Sequence, residues 1–516
     1  MSFDTVIQGG RVMDPATGLD GFCDVGVAGG RIGAIAPGLD TTGAQIIAAA
    51  GKIVSPGFID PHVHIYGGIG IVDPDTIGVH QGVTTLVDLG GAGTATFEHL
   101  RELVLPKAKT SIYSVIFMAA GGVAAFGFGT DDTMQIEHLD LHRLFKMVDD
   151  NRDIIKGLKS AVSVALGAEC LALAQSIAHS AGLPFVLHLG EFDDYVQWYQ
   201  APEYHSITAA MLDRLRKGDL ITHCYTPEPG RMFDEAGALL GTVRAMIDRG
   251  VYLDLGHSSH GFSVEVARLA LAHGIRPHTL GSDLHVSSVG PVMRSLADVM
   301  SKMLALGIDL YSVVRMVTAS PAAWLQITDR AGALRVGMPA DVTVFEVEKG
   351  EYAWMDSHRT PFSGRERIVP TGCLKAGTWY PARMDLADVK SNRNVAVWKT
   401  GLPPATEALS PAQRSFLGAV ADVVAQREQW DQIELHYAIE AQRERMGLPL
   451  REGVRALHLA LYGKLAGQQV AWCLARQKRD FVLDRLKTIA AGHTIGTGQP
   501  IAAGRVPAAT TMGARE

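Results

Sequence analysis

The feature that most constrains the fold is a regular alternation of short apolar runs and amphipathic stretches between residues 56 and 330. Short apolar strands that alternate with helices are typical of βαβ units and of a buried parallel sheet. The strand-like runs span residues 57–65, 84–89, 111–119, 154–160, 184–190, 219–225, 251–257 and 279–284. Eight such runs in about 270 residues predict an α/β fold, a (β/α)8 TIM-like barrel. An open doubly wound sheet is the alternative, although no GxGxxG sequence opens a helix here.

β-rich segments flank this region on both sides. At residues 6–12 and 24–32, Gly-Gly pairs stand between β-forming residues, as they do in hairpins. A similar β pattern returns after the alternating region ends. We therefore expect residues 1–55 and 331–384 to form one small composite β-sandwich domain, with the barrel of residues 56–330 inserted between them.

Residues 385–516 show helical apolar spacing and no β/α alternation. Ser410-Pro411 has the form of an N-cap followed by proline at the first helical position. Further helical spacing covers residues 417–427, 433–445 and 454–476. We expect an α-helical C-terminal extension. Its amphipathic faces leave open whether it serves oligomer formation, covers the pocket or packs on its own barrel, and the last is the simplest interpretation.

Charge and cysteine content exclude several classes of protein. The chain has 47 Lys and Arg against 54 Asp and Glu, a net charge of −7, which excludes a broad basic surface for nucleic acid or an anionic membrane. Five cysteines without a CxxC pair exclude a disulfide framework and a cysteine-type zinc site. The most apolar window, residues 116–129, is interrupted by glycines and is shorter than the ~20 residues that a spanning helix needs. Because the N-terminus lacks the basic and apolar regions of a signal peptide, we expect a cytoplasmic protein. We also expect the protein to form a homo-oligomer and to act on a small molecule.

Polar residues stand where the predicted barrel strands end, which is where barrel enzymes place their active sites. His62 and His64 are two residues apart on the first strand, so both imidazoles face the same side and can reach one metal ion. One residue of interest ends each of four later strands. These residues are Lys159, His188, His223 and Asp283.

Each residue has an ordinary explanation when it is taken alone. A lone histidine is commonly a satisfied core or surface residue, and Asp283 has the type and position of a helix N-cap. A lysine inside a barrel is costly unless it is paired or chemically altered. Together, four imidazoles and a carboxylate suit zinc or a similar divalent ion. If Lys159 takes up carbon dioxide as a carbamate, it becomes an anionic oxygen ligand able to bridge two metals.

These motifs resemble those of the amidohydrolase superfamily of metal-dependent hydrolases, and within it the dihydroorotase-like amidohydrolase/deacetylase group. The resemblance covers about residues 3–385. It rests on residues 56–64 (PGFIDPHVH), 82–88 (GVTTLVD), 157–159 (GLK), 188–191 (HLGE), 222–224 (THC), 282–285 (SDLH), 319–322 (ASPA) and 337–341 (GMPAD).

The resemblance implies a role for each of these residues. His62, His64 and Asp283 would hold the more buried of two divalent metals, most simply zinc. His188 and His223 would hold the more exposed one, and carboxylated Lys159 would bridge them. A hydroxide between the metals would be the nucleophile. Asp283 would take its proton and pass that proton to the leaving group.

The resemblance says less about the substrate. We expect the loops after the strands to form the pocket, and its predicted contacts are Tyr66, Tyr225, His257, His260 and His285. Ala161 stands where relatives that hydrolyse acyl acids tend to carry an arginine able to hold a carboxylate. The leading hypothesis is hydrolysis of an amide or ester, as N-acyl deacylation. A cyclic amide or imide hydrolase of dihydroorotase or hydantoinase type is the alternative. An inactive scaffold is a remote alternative, because such members usually lose metal ligands.

Overall fold

The fold is described from a computed structural model of the chain. It describes residues 2–67, 70–71, 73–118, 120–123, 140–160, 167–190, 201–286, 288–290, 292–383, 397–399, 401–465, 470–475 and 477–492. The chain divides into two compact units, Met1–Arg393 and Asn394–Glu516. Within the described part of the chain, no helix combines the length and apolarity required to span a membrane.

The first unit contains the strands. In chain order they are β1 (Thr5–Asp14), β2 (Leu19–Ala28), β3 (Arg31–Ala36), β4 (Gln45–Ala48), β5 (Ile53–Pro56), β6 (Phe58–Val63), β7 (Val83–Gly93), β8 (Ser111–Phe117), β9 (Ile155–Lys159), β10 (Phe185–His188), β11 (Leu220–Thr222), β12 (Tyr252–Leu253), β13 (Val342–Met355), β14 (Pro361–Lys375) and β15 (Thr378–Pro381). Its helices are α1 (Phe97–His99), α2 (Leu141–Asp150), α3 (Gly167–Ser180), α4 (Ala201–Arg214), α5 (Thr242–Asp248), α6 (Val264–Ala272), α7 (Leu296–Ala305), α8 (Leu310–Met316) and α9 (Ala319–Trp324).

Strands β6 to β12 form a curled parallel sheet in which each strand pairs with the next along the chain. Every residue of β6 and β7 is buried, as expected for parallel strands covered on both faces. Phe58, Leu86, Ile116 and Leu158 belong to the same apolar core on four successive strands. The predicted mixed α/β fold with a parallel sheet is therefore confirmed.

The last predicted run, residues 279–284, is not a regular strand. Isolated parallel bridges join Thr279 to Asp254, just after β12, and Leu284 to Val63 on β6. The segment therefore lies between the two edge strands of the parallel sheet. Regular pairing is interrupted because side chains take some of its backbone hydrogen bonds: Gly281 N–H donates to an Asp254 carboxylate oxygen at 2.7 Å. Asp283 has a left-handed backbone with φ of 53°.

A second sheet is mostly antiparallel. Its strands come from the chain segments that precede and follow the parallel sheet in the sequence. Its order is β15-β14-β13-β5-β1-β2-β3, with β4 also paired to β1. The two sequence pieces meet where β5 pairs antiparallel with β13, with Val54 opposite Val344. Both valines are buried in one apolar cluster. The folding of these strands into a sandwich stays a prediction.

The second unit is helical. Its helices are α10 (Pro411–Ala425), α11 (Gln432–Arg445), α12 (Leu450–Tyr462), α13 (Val470–Ala475) and α14 (Arg479–Ala490). Ser410 caps α10 in a capping box with Gln413, and Pro411 stands at the first helical position, as its sequence predicts. One predicted helix, residues 454–476, is wrong in extent. Gly463 ends α12 with a φ of 67°, a conformation that glycine adopts without steric cost.

Candidate metal centre

Five of the six predicted metal ligands lie at the C-terminal ends of strands in the parallel sheet or directly after them, and Asp283 lies in segment 279–284, between the two edge strands. The chain order of the strands brings these ends to one edge, so residues far apart in sequence become neighbours. His62 lies near the end of β6, and His64 follows that strand. The others are Lys159 at the end of β9, His188 at the end of β10, His223 after β11, and Asp283 in the segment that follows α6.

Two imidazoles and a carboxylate form the centre of the cluster. The Nε2 atoms of His62 and His64 lie 3.2 and 3.1 Å from the same oxygen, Oδ1 of Asp283. One ligand atom from each of the three residues lies within 4.8 Å of the other two. All three side chains are buried. This spacing is compatible with one shared metal ion.

The remaining predicted ligands surround this triad. His223 Nε2 lies 3.9 Å from Asp283 Oδ2. The rings of His188 and His223 have their centroids 4.3 Å apart. The Lys159 ammonium nitrogen is 3.5 Å from His62 Nε2 and 3.2 Å from the Leu89 carbonyl oxygen. The structure therefore brings all the predicted ligands into one cluster.

The protonation of the cluster fits a divalent cation. His223 Nδ1 is 2.7 Å from the Gly256 carbonyl oxygen, which can only accept, so Nδ1 carries the proton and Nε2 presents a lone pair to Asp283. Burial lowers the pKa of His223 to about 3 and that of His62 well below its usual range. A neutral His223 therefore directs the Nε2 lone pair at the Asp283 carboxylate, and a bound cation removes that repulsion. Imidazole and carboxylate ligands suit several divalent metal ions.

Burial also acts on the lysine. It lowers the pKa of Lys159 to about 8, and Asp283, Asp254 and Asp88 oppose the shift. The side chain is 3% exposed, so an ammonium group here is poorly hydrated. Burial therefore makes the neutral amine, the form that can react with carbon dioxide, more accessible than in an exposed lysine, although the ammonium form still predominates at pH 7.

The backbone is strained at two of the predicted ligands. His223 and Asp283 have φ values of 64° and 53°, in the left-handed region that most side chains avoid. Close packing holds the ring of His223, since a Cβ at Gly261 would lie 2.3 Å from its Nδ1. Non-glycine residues in this region cluster at functional sites, where surrounding contacts maintain the strain.

The predicted substrate contacts have different surroundings. The centroid of the His285 ring lies 6.1 Å from that of the His64 ring, next to the cluster of predicted ligands. Tyr66 is buried, and the buried hydroxyl of Tyr225 donates to the Ile275 carbonyl oxygen at 2.9 Å. His260 is exposed, with Nδ1 at 2.9 Å from Ser259 Oγ. The substrate roles stay predictions, and Ala161 lies outside the described residues.

His257 is buried and has a partner that the sequence does not indicate. Its Nδ1 is 2.9 Å from the Ser258 carbonyl oxygen, and its Nε2 is 2.7 Å from the amine of Lys302 on α7. The Lys302 amine also donates to the Val292 carbonyl oxygen at 2.7 Å. Lys302 is 0% exposed, so this pair fixes the loop after β12 to α7.

Lys302→Met is expected to flatten the pH dependence of stability. Burial lowers the pKa of Lys302 from 10.5 to about 7, partly opposed by Asp298 and Asp356. Between these values the unfolded chain holds more protons than the folded one, so wild-type stability rises with pH and falls as pH drops towards 7. The limiting slope is about 1.4 kcal/mol per pH unit. Melting temperatures of both proteins between about pH 7 and 10 test this. Parallel profiles would refute it.

Sequence reasoning missed two buried carboxylates beside the centre, Asp60 and Asp254. Burial raises the pKa of Asp60 to about 7 and that of Asp254 to about 6. Asp60 Oδ2 accepts a hydrogen bond from the Ser282 hydroxyl at 2.5 Å. This bond holds Ser282, the residue that precedes Asp283. A signal was available, because a carboxylate within an apolar strand run needs buried partners.

Comparison with known proteins places this arrangement among hydrolases. A family model described as the amidohydrolase family matches residues 53–396. The deacetylase Atu3266 of Agrobacterium fabrum is 30% identical over 365 residues, which cover 68% of this chain and 86% of that protein. A crystal structure of a dihydroorotase has a TM-score of 0.64 and 28% identity, covering 73% of this chain and 99% of that one. For an adenine deaminase the TM-score is 0.65 and the identity 25%, with coverages of 74% and 100%.

Proposed function

Because the chain belongs to the amidohydrolase family, we propose that it is a binuclear zinc-dependent hydrolase that deacylates an N-acyl small molecule. The family and the deacetylase relatives make the chain a hydrolase of carbon–nitrogen bonds. The observation that carries the proposal is the convergence of His62, His64 and Asp283 within 4.8 Å. The deacylase assignment is supported by deacetylase relatives whose similarity covers most of their own length.

Two ions would share the ligands. His62, His64 and Asp283 would hold one ion, and His188 and His223 the other. The Lys159 amine would add to carbon dioxide, forming an N–C bond and releasing one proton to solvent. The resulting carbamate would offer an oxygen to each ion. Bound cations supply a water of lowered pKa and a positive charge that polarises the scissile carbonyl.

The protein's own part of the reaction centres on Asp283. Its Oδ1 faces His62 and His64, which leaves Oδ2 as the atom able to exchange a proton with substrate. Oδ2 takes the proton from the attacking water as the water oxygen bonds to the acyl carbon. It then returns that proton to the nitrogen as the carbon–nitrogen bond breaks, so the carboxylate is regenerated. Since the side chain is buried, bulk water competes little for that proton.

The bridges at both ends of residues 279–284 support a closed barrel in which this segment takes the eighth position. We also propose that the protein acts on a small-molecule substrate, forms a homo-oligomer and is located in the cytoplasm. The helices beyond residue 396 lie outside the matched family region.

Purified protein is expected to contain two zinc ions per chain and to release acetate from an N-acetyl compound. The screen should include N-acyl amino acids, acyl hydroxy acids and cyclic amides, with zinc measured on the same sample. A protein without metal or hydrolytic activity, unaffected by replacement of Lys159, would instead be the inactive scaffold.

A cyclic amide hydrolase is the second candidate. The similarity to a dihydroorotase structure at 28% identity favours it. Ring opening of a cyclic amide or imide, without acetate release from N-acetyl compounds, would establish this alternative.

A further inference from the structure

We propose that Asp254 and Thr222 are positioning residues for His62, holding its imidazole in the tautomer and orientation that metal binding requires. The proposal rests on the function proposed above, since it concerns the same metal centre. Neither residue touches the predicted reacting atoms. Both act through a chain of hydrogen bonds that ends on the imidazole nitrogen facing away from Asp283.

Asp254 is a buried carboxylate, 1% exposed, with both oxygens in use. Oδ1 accepts from the Thr279 hydroxyl at 2.8 Å and from the Gly281 N–H at 2.7 Å. Oδ2 accepts from the Thr222 hydroxyl at 2.9 Å and lies 3.4 Å from His62 Nδ1. One oxygen therefore faces the segment of residues 279–284, and the other faces Thr222 and His62.

The direction of each proton follows from the chemistry of these groups. An ionised carboxylate can only accept, so the Thr222 hydroxyl donates its single proton to Asp254. The same hydroxyl oxygen is 2.8 Å from His62 Nδ1 and retains only lone pairs for that contact. Nδ1 must therefore donate, which places the imidazole proton on Nδ1 and leaves Nε2 unprotonated. Nε2 is the atom that faces Asp283 at 3.2 Å.

The local backbone is shaped for this contact. A Cβ at Gly281 would lie 2.5 Å from the Cβ of His62 and 2.6 Å from Asp254 Oδ2. Any larger residue would push the histidine and the carboxylate apart. The negative charge of Asp254 beside Nδ1–H also increases the basicity of Nε2, and this strengthens a metal–imidazole bond.

Thr279 offers a matched control. Its hydroxyl donates to the same carboxylate at a similar distance, but to the oxygen that faces away from His62. Thr222 and Thr279 are both fully buried. Removing either hydroxyl costs one buried hydrogen bond to Asp254, and only the loss at Thr222 breaks the chain to His62.

The test measures zinc affinity of the full-length chain by competition with a chelator, without substrate. Thr222→Val is expected to weaken zinc binding by roughly 10- to 100-fold, the range found when such outer partners are removed. Thr222→Ser keeps the hydroxyl and should restore affinity to within about 3-fold of wild type. Thr279→Val should also stay within about 3-fold. Asp254→Asn, which no longer has an acceptor-only side chain, should weaken binding like Thr222→Val.

Results that would contradict this inference can be distinguished from a result that would also remove the proposed function. Equal zinc affinity in wild type and Thr222→Val would overturn this inference and leave the proposed function standing. Equal weakening by Thr222→Val and Thr279→Val would show a loss of packing, and would also overturn it. If Thr222→Val does not fold, undiminished affinity in Asp254→Asn decides against the inference. A wild-type chain that binds no zinc would remove the proposed function together with this inference.

Discussion

Asp283→Asn is expected to lower kcat/KM by roughly 10²- to 10⁴-fold, the usual contribution of a positioned general acid–base group. The amide has the shape of the carboxyl group but does not accept a proton at neutral pH. The fold should be kept, because asparagine tolerates the left-handed backbone that Asp283 adopts at φ of 53°. Most of the zinc should also stay bound, since His62 and His64 remain and the amide oxygen is still a ligand.

Steady-state kinetics and zinc content on the same preparation test this prediction. Asp329→Asn is a suitable control, because Asp329 is exposed and its ion pair with Arg330 is remote in sequence from every predicted ligand. This control should retain wild-type turnover. Undiminished kcat/KM in Asp283→Asn, with zinc unchanged, would exclude the proposed proton transfer through this carboxylate.

Lys159→Met is expected to abolish measurable turnover and to reduce bound zinc from two ions to one or none. Methionine fills a similar volume but provides no amine for carboxylation. The free energy of unfolding of the metal-free protein should not fall, because the substitution also removes a buried amine that is costly to desolvate. Loss of metal without loss of stability would separate a ligand role from a structural one.

The dependence of metal reconstitution on carbon dioxide is a second test of the role of Lys159. Metal-stripped wild-type protein should regain activity with zinc in bicarbonate buffer and fail to do so in buffer freed of carbon dioxide. Lys156→Met is the matched control on β9, where the Lys156 amine donates to the Arg152 carbonyl oxygen and points away from the centre's ligands. Its reconstitution should follow wild type. Recovery of Lys159→Met to wild-type activity would contradict a bridging carbamate.

The parallel sheet was predictable because its signals are local. Apolar runs separated by amphipathic stretches have the periods of strands and helices, and these periods do not depend on distant contacts. The placement of His62 and His64 follows from the two-residue repeat of a strand. The edge of the sheet where ligands gather follows from parallel strand order, so the cluster of His62, His64 and Asp283 was accessible before the fold was known.

Other features depend on contacts between residues far apart in sequence. Residues 279–284 have the composition of a strand, but Asp60 and Asp254 take hydrogen bonds from Ser282 and Gly281. The buried pair of Lys302 and His257 joins α7 to the loop after β12, and no periodicity indicates it.

The sequence by itself determined the alternation of strands and helices, the positions of the metal-ligating residue types and the family to which they point. Those properties are carried by spacing along the chain. Only the tertiary structure decided which nitrogen of His62 faces Asp283, because that depends on Thr222 at the end of β11 and Asp254 just after β12. It also decided that Asp283 has a left-handed backbone conformation, in a segment between the two edge strands of the parallel sheet. A carboxylate within an apolar strand run can be recognised in the sequence as a buried charge, but the residues that pair with it are set by the fold.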